Sequence, residues 1–239
     1  MSNNKNTYLN SKYNSENAEE LDRNSVSKKE VYQFKLILLG DIAVGKSAIL
    51  RRFIDDDFTS DYYCTVGVEF HIKTLSVNDN QEADLKIWDT CGEEKYRTIT
   101  RQYYNNCDGV ILVFDLTNKS SFIKLDSWID DVVNNSPQDV SVVVVGNKKD
   151  LKDSIEVTPN MIKEYFDKKP ELIYFESSAL SGEGITQIFQ EITKTLIQKK
   201  LDKIKTGIIA DEIEENNTYN LNKHISTTNS EQNTKNKCC

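Results

Sequence analysis

The chain has 239 residues, 38% of them hydrophobic and 28% charged, which suits a soluble globular core with polar extensions. Its net charge of −8 argues against non-specific nucleic-acid binding, because such binding needs a basic surface. No segment approaches the roughly 20 apolar residues of a membrane span, and the polar N-terminus carries no secretion signal. We expect three scattered cysteines without metal-ligand spacing to be reduced thiols: Cys64, Cys91 and Cys107.

Both ends of the chain are polar. Residues 1–30 have almost no aliphatic side chains and predict a disordered extension, because little apolar surface is available to offset the entropy of ordering. Residues 203–239 contain an acidic segment followed by Asn, Thr and Lys, and predict a flexible tail. The globular domain is therefore expected at 31–202.

Strand and helix patterns alternate within that domain. Apolar or β-branched segments predict six strands: Phe34–Leu39, Val66–Val77, Ala83–Trp88, Gly109–Phe114, Val140–Val145 and Glu171–Phe175. Helical spacing predicts helices over Lys46–Phe53, 122–132, from Thr158-Pro159 onward, and over 185–196, with Ser120 as a helix cap. This order predicts one α/β domain with a six-stranded, mostly parallel sheet, helices on both faces, and a ligand at the carboxyl ends of the strands.

The most informative segment is Gly40–Ser47, which reads G-x-x-x-x-G-K-S between the first strand and the first helix. Glycines let successive backbone N–H groups point at phosphate oxygens, and the helix N-terminus adds positive potential. Lys46 can bind the outer phosphates, and the Ser47 hydroxyl can bind Mg²⁺. A strand–turn–helix corner with incidental glycines is the alternative. The context favours a P-loop.

Two further motifs define the ligand. Asp89 ends a strand and can hold the water shell of Mg²⁺, and Gly92 can bring its N–H to the terminal phosphate. Asp150, in Asn147-Lys148-Lys149-Asp150, can accept both donors of the guanine edge, which adenine does not offer. Without the P-loop, Asp150 would be read as a surface acid. Ser177-Ser178-Ala179 is placed to support the guanine carbonyl.

The ordered motifs GDIAVGKS, TVGVEF, WDTCGEE, NKKD and ESSAL resemble the Ras superfamily of small GTPases. VGVEF, KIWDT, EKYRTIT, YYNNCDG, VFDLT and the terminal Cys238-Cys239 resemble its Rab branch. The resemblance covers about residues 32–200 and the last two. It implies that the protein hydrolyses GTP. It also implies a membrane-attached switch in vesicle traffic, which recruits effectors when GTP is bound.

The resemblance also implies site residues. GTP phosphates would be bound by Asp41, Ala43, Val44, Gly45, Lys46, Ser47, Ala48 and Gly92. Guanine would be bound by Phe58, Asn147, Lys148, Asp150, Ser178, Ala179 and Leu180. Mg²⁺ would be held by Ser47, Thr65 and Asp89, with Thr65 as the switch I threonine. Effectors would contact Phe70, Trp88 and Tyr103, whose alternative role is ordinary core packing. Lys46 and Glu93 are the expected catalytic residues.

Four positions depart from the family pattern. Glu93 replaces the glutamine that orients the attacking water, and a carboxylate accepts hydrogen bonds but cannot donate them. Ile42 replaces a small residue and would crowd the terminal phosphate. We expect slowed hydrolysis from these two changes. Ala43 replaces a common glycine and is expected to be tolerated, and Leu180 replaces a lysine beside guanine.

The implied partners are an exchange factor, an activating protein, a GDP-dissociation inhibitor, a Rab escort protein with its prenyltransferase, and effectors. Geranylgeranyl groups on Cys238 and Cys239 would attach the protein to the cytoplasmic face of an endomembrane, from which it cycles to the cytosol. A redox pair is the alternative role of these cysteines.

Two other functions compete with this interpretation. A nucleotide-binding scaffold that barely hydrolyses GTP is kept open by Glu93 and Ile42. An ATP-dependent P-loop kinase is disfavoured by Asp150 and by the lack of a lid segment in the sequence.

Overall fold

The computed structural model describes residues 29–59, 65, 67–93 and 100–207. Its strands are β1 (Glu30–Leu39), β2 (Val68–Asn78), β3 (Gln81–Thr90), β4 (Gly109–Asp115), β5 (Ser141–Asn147) and β6 (Ile173–Glu176). Its helices are α1 (Lys46–Asp55), α2 (Lys119–Ile123), α3 (Leu125–Asn135), α4 (Pro159–Phe166) and α5 (Ile185–Lys205), with a 3₁₀ turn at Lys152–Ser154. The predicted N-terminal extension, Cys64, most of the tail, Cys238 and Cys239 lie outside the described residues.

The strands form one sheet in the order β2-β3-β1-β4-β5-β6. Only the β2–β3 hairpin is antiparallel among the described pairs, and the other four pairs are parallel. Parallel neighbours require crossovers, and the helices between them supply these connections. The predicted α/β class and six-stranded, mostly parallel sheet are confirmed.

Helices cover both faces of the sheet. One apolar cluster packs α1 and α5 on the sheet through residues such as Ile49, Ile188 and Phe189. The second packs α2, α3 and α4 on the opposite face through Phe122, Trp128 and Ile162. The central strand β4 is buried along its whole length, which explains its continuous apolar sequence.

Element boundaries differ from the predicted ones in informative ways. We predicted that Ser120 caps α2, and this prediction is wrong. The side chain of Asn118 accepts the Ser120 N–H at 3.0 Å, so the cap lies two residues earlier. Thr158 does cap α4, with Pro159 in its first turn, as predicted. β1 begins at Glu30 rather than Phe34, because its alternating first half pairs with β3.

The last helix continues past the predicted boundary at residue 202. It reaches Lys205, and its last turns are tied to the loop before β5. Lys199 donates to the Asp139 carbonyl at 2.9 Å, and Lys203 pairs with the Asp139 carboxylate. These contacts join distant segments, so the local polarity that suggested a tail does not reveal them.

Candidate functional site

The Gly40–Ser47 loop connects β1 to α1 at the carboxyl end of the sheet. Lys46 is only 6% exposed, and its ammonium donates to the carbonyls of Gly40 at 3.0 Å and Asp41 at 2.9 Å. These two bonds curl the loop around the lysine. The ammonium is therefore held at the inner side of the loop, where its positive charge can attract an anion such as phosphate.

Gly45 permits a close contact between this loop and β5. Its φ is +99°, and a Cβ at this position would lie 2.3 Å from Nδ2 of Asn147. That Nδ2 donates to the Val44 carbonyl at 3.0 Å, in a fully buried position. A glycine is therefore required both for the backbone angle and for the space that the asparagine occupies.

Three oxygen-bearing side chains converge beside Lys46. The Ser47 hydroxyl donates to Oδ2 of Asp89 and lies 2.7 Å from the Thr65 hydroxyl, which itself lies 3.4 Å from Asp89 Oδ2. They come from the start of α1, the segment before β2, and the end of β3. The predicted Mg²⁺ residues are thus together.

The burial of this cluster favours the binding of a cation. Asp89 is 1% exposed, and its Oδ1 has no hydrogen-bond partner among the described residues. Desolvation raises the pKa of Asp89, although Ser47 and Lys46 partly oppose the shift. A buried carboxylate with an orphaned oxygen beside two hydroxyls fits Mg²⁺, which prefers oxygen ligands and keeps several waters. No group of three His, Cys, Asp or Glu side chains forms an alternative metal site in the described part of the chain.

Gly92 allows the segment after β3 to lie in close contact with the phosphate loop. A Cβ on Gly92 would lie 2.4 Å from the Asp41 carbonyl oxygen and 2.6 Å from the Ile42 nitrogen. Glu93 follows directly and is half-buried. Ile42 is 45% exposed, so its side chain points away from the packed side of the loop. The two departures from the family pattern therefore flank one backbone contact.

The guanine-side residues form a second network at the ends of β5 and β6. The Asn147 Oδ1 accepts from the Ser177 hydroxyl at 3.2 Å and from the Ala179 N–H at 3.3 Å. The Ser178 hydroxyl donates to Asp150 Oδ1 at 2.6 Å. This bond leaves the other carboxylate oxygen of Asp150 for a ligand. The expected base-binding loops are thus held together by buried polar contacts.

Other predicted guanine-binding side chains lie around this network. Lys148 has a left-handed backbone, with φ of +67°, and its ammonium pairs with the buried Asp115 at 2.7 Å. Leu180 is 51% exposed, and Phe58 is half-buried where it packs on the first apolar cluster. Leu180 therefore presents an exposed apolar side chain in the base-side loop.

Three residues important to this geometry were missed by our sequence analysis. Arg52 donates to the carbonyls of Ala179 at 3.0 Å and Leu180 at 2.9 Å, which anchors the base-side loop to α1. Asp115 pairs with Lys148, and Lys124 pairs with Asp41 at 2.9 Å. Asp115 could have been found, because it ends a buried strand at the same sheet edge as Asp89. No local pattern marks Arg52 or Lys124.

The predicted effector residues share the outer surface near β2 and β3. Phe70 is 50% exposed, and its ring lies 4.7 Å from that of Trp88, its register partner on β3. Trp88 and Tyr103 are both half-buried against the second apolar cluster. An exposed aromatic ring in contact with a half-buried tryptophan is typical of a protein-binding surface.

Ala43 is predicted to strain the phosphate loop, despite our expectation that alanine is tolerated there. Its φ of +62° lies in the left-handed region, which costs about 1 kcal/mol or more for a residue with a Cβ. Ala43→Gly should therefore raise the free energy of unfolding by about 0.5–1 kcal/mol, measured by urea denaturation without nucleotide.

Ala48→Gly is the matched control, because it makes the same change inside α1. It should lower the free energy of unfolding by roughly 1 kcal/mol, since helical glycine is unfavourable and Ala48 packs on the core. Destabilisation by both substitutions would contradict the strain at Ala43.

The described domain matches known proteins over nearly its whole length. Residues 35–198 match the model of the Ras family. The chain is 39% identical to the GTP-binding protein YPT1 of Saccharomyces cerevisiae, with 72% of this chain and 84% of YPT1 covered. It is also 39% identical to the Ras-related protein Rab-2B of Dictyostelium discoideum, with 80% and 92% covered.

A plant protein shows similar agreement. The chain is 37% identical to the Ras-related protein RABE1e of Arabidopsis thaliana, with 70% of this chain and 77% of that protein covered. Together with the P-loop geometry, the family match and these relatives show that the chain belongs to the Rab family of small GTPases, enzymes that hydrolyse GTP and act in vesicle traffic.

Proposed function

We propose that this protein is a GTP/GDP-dependent switch on membranes, in which Thr65 reports the state of the nucleotide. The observation that carries this proposal is the convergence of Ser47, Thr65 and Asp89 beside the buried Lys46. Thr65 belongs to the segment before β2, so its hydroxyl links that segment to the phosphate site. Loss of this contact after hydrolysis would release the segment that precedes the effector residues of β2 and β3.

Each residue of the site has a distinct task in the proposed reaction. Mg²⁺, when bound, would neutralise charge on the outer phosphates, and Ser47, Thr65 and Asp89 would hold it. Lys46 would bind the same phosphates. The Gly92 N–H would approach the terminal phosphate, and Glu93 would accept a hydrogen bond from the attacking water.

Base selectivity is assigned to Asp150. Its Oδ1 is already bonded to Ser178 at 2.6 Å, which orients the carboxylate. A carboxylate in this orientation can accept from N1–H and the 2-amino group of guanine. Asn147, Lys148, Ala179 and Leu180 would complete the base pocket, and Phe58 would cover the other face.

Asp150→Asn should change the base preference of the protein from guanine to xanthine. The asparagine oxygen can still accept from Ser178 and N1–H, whereas its NH₂ donates to the 2-oxo group that xanthine carries. GTP affinity should fall about 10²-fold or more, and xanthosine triphosphate should bind more tightly than GTP. Fluorescent-nucleotide competition, with ATP included, measures both. Unchanged GTP affinity would remove Asp150 from the base site, and preference for ATP would favour the kinase alternative.

Hydrolysis is proposed to be slow because of Glu93 and Ile42. An ionised Glu93 cannot donate to the terminal phosphate and adds negative charge next to it. Ile42 is exposed beside the Gly92 contact, where it would restrict an inserted catalytic residue from an activating protein. Such a protein could still supply catalytic groups, so slow intrinsic turnover is compatible with a switch.

Glu93→Gln should speed single-turnover GTP hydrolysis roughly tenfold, which corresponds to the change from a carboxylate to a donor-bearing amide. Ile42→Gly serves as a second variant, expected to raise the rate with an activating protein more than the intrinsic rate. Equal hydrolysis rates for wild type and Glu93→Gln would show that Glu93 does not slow GTP hydrolysis. A wild type that retains GTP throughout and gains no turnover with any activating protein would favour the scaffold alternative.

Effector recruitment is assigned to Phe70, Trp88 and Tyr103, because Phe70 is exposed and its ring contacts the half-buried ring of Trp88 at a tilted angle. Membership in the Rab family supports further partners. These are an exchange factor, an activating protein, a GDP-dissociation inhibitor, and an escort protein with its prenyltransferase. The domain boundaries at residues 31 and 202 remain proposals for the globular unit, although β1 begins at Glu30 and α5 ends at Lys205.

Membrane attachment is proposed to occur through lipids on Cys238 and Cys239, at the cytoplasmic face of an endomembrane. Among the described residues, no helix is long and apolar enough to cross a bilayer. Two lipid chains give stable attachment, whereas one gives only marginal binding. The acidic segment 211–215 offsets the lysines that precede it, Lys199, Lys200, Lys203 and Lys205, so charge adds little.

Cys238→Ser with Cys239→Ser should move the tagged protein from the membrane fraction to the soluble fraction of cells. Each single substitution should give intermediate retention, because one lipid remains. Fractionation and fluorescence imaging measure this. Persistence of the double variant on membranes would show that another element holds it there.

A further inference from the structure

The ion pair between Asp41 and Lys124 connects the phosphate loop to a helix outside all the recognised nucleotide motifs. Lys124 lies at the junction where α2 ends and α3 begins. Its ammonium is 2.9 Å from Asp41 Oδ2, and the Asp41 side chain is 13% exposed. A largely buried carboxylate in such a pair has little freedom to reorient.

The same carboxylate also binds the loop backbone. Asp41 Oδ1 accepts the Ile42 N–H at 3.0 Å, while the Asp41 carbonyl accepts from Lys46 at 2.9 Å. Both sides of the 41–42 peptide are thus held by groups of the protein. Lys124 fixes the carboxylate, the carboxylate fixes the Ile42 N–H, and Lys46 fixes the carbonyl.

This peptide is also where the segment after β3 meets the loop. A Cβ at Gly92 would lie 2.5 Å from the Asp41 carbonyl carbon and 2.6 Å from the Ile42 nitrogen, so no side chain fits between them. A shift of the 41–42 peptide would therefore displace Gly92, and with it Glu93. Small displacements at reacting groups can cost large factors in rate.

We propose that Lys124 is a positioning residue for GTP hydrolysis, which acts through Asp41 on the 41–42 peptide and thereby on Gly92 and Glu93. Its ammonium pairs with Asp41 of the phosphate loop, so we expect its effect at the terminal phosphate rather than at the base. This inference rests on the proposed roles of Gly92 and Glu93 and extends them to a residue that no nucleotide motif contains.

The test compares Lys124→Met with Lys119→Met, which removes the same charge from an exposed lysine on α2. Lys124→Met should lower the single-turnover hydrolysis rate roughly five- to twentyfold. It should also accelerate dissociation of a non-hydrolysable GTP analogue at least threefold more than dissociation of GDP. Lys124→Arg should retain most of the wild-type rate, and Lys119→Met should match wild type.

Asp41→Asn provides a second route to the same contact. If the two residues act through one ion pair, the double variant with Lys124→Met should be no slower than either single variant. Equal behaviour of Lys124→Met and Lys119→Met, or rate losses that multiply in the double variant, would overturn the proposal. Melting temperatures of all variants separate loss of folding from loss of positioning.

The design also separates this inference from the proposed function. If the wild type binds guanine nucleotide but does not hydrolyse it, the hydrolytic part of the proposed function fails. The ratio of analogue to GDP dissociation rates still decides the role of Lys124 in that case. A wild type that binds no guanine nucleotide overturns both.

Discussion

The buried amide of Asn147 is the contact on which the candidate site most depends. It donates to the Val44 carbonyl of the phosphate loop and accepts from Ser177 and Ala179 of the base-side loop. One side chain at the end of β5 thereby sets the distance between the two halves of the site. Without these partners, each buried polar group would remain unsatisfied at a cost of about 1–3 kcal/mol.

Sheet topology makes this arrangement possible. β1 lies between β3 and β4, so the phosphate loop emerges at the middle of the carboxyl edge, with the end of β3 on one side and the ends of β4 and β5 on the other. Asp89 and Asn147 reach the loop from opposite sides for this reason. Burial of charge destabilises the site when no ligand is bound, and desolvation accordingly raises the pKa of Asp89, whose Oδ1 has no hydrogen-bond partner among the described residues. A bound nucleotide with its cation would compensate the buried charges.

Several features could be predicted because their cause is local. Strand and helix order follows from apolar spacing, and the Thr158-Pro159 helix start follows from capping chemistry. The P-loop was recognisable because its glycines and lysine have a fixed spacing. The Asn118 cap was missed, since two neighbouring residues, Asn118 and Ser120, have equally suitable side chains and only the backbone path selects one.

The sequence by itself determined the fold class, the nucleotide motifs and the residue types that phosphate, Mg²⁺ and guanine require. It also revealed Glu93 and Ile42 as departures from the family. Only the tertiary structure decided how the motifs are held, through Arg52 on the base-side loop, Asp115 on Lys148 and Lys124 on Asp41. These pairs join residues far apart along the chain. Hydrogen bonds and ion pairs at such separations depend on strand order and helix packing, which local spacing does not encode.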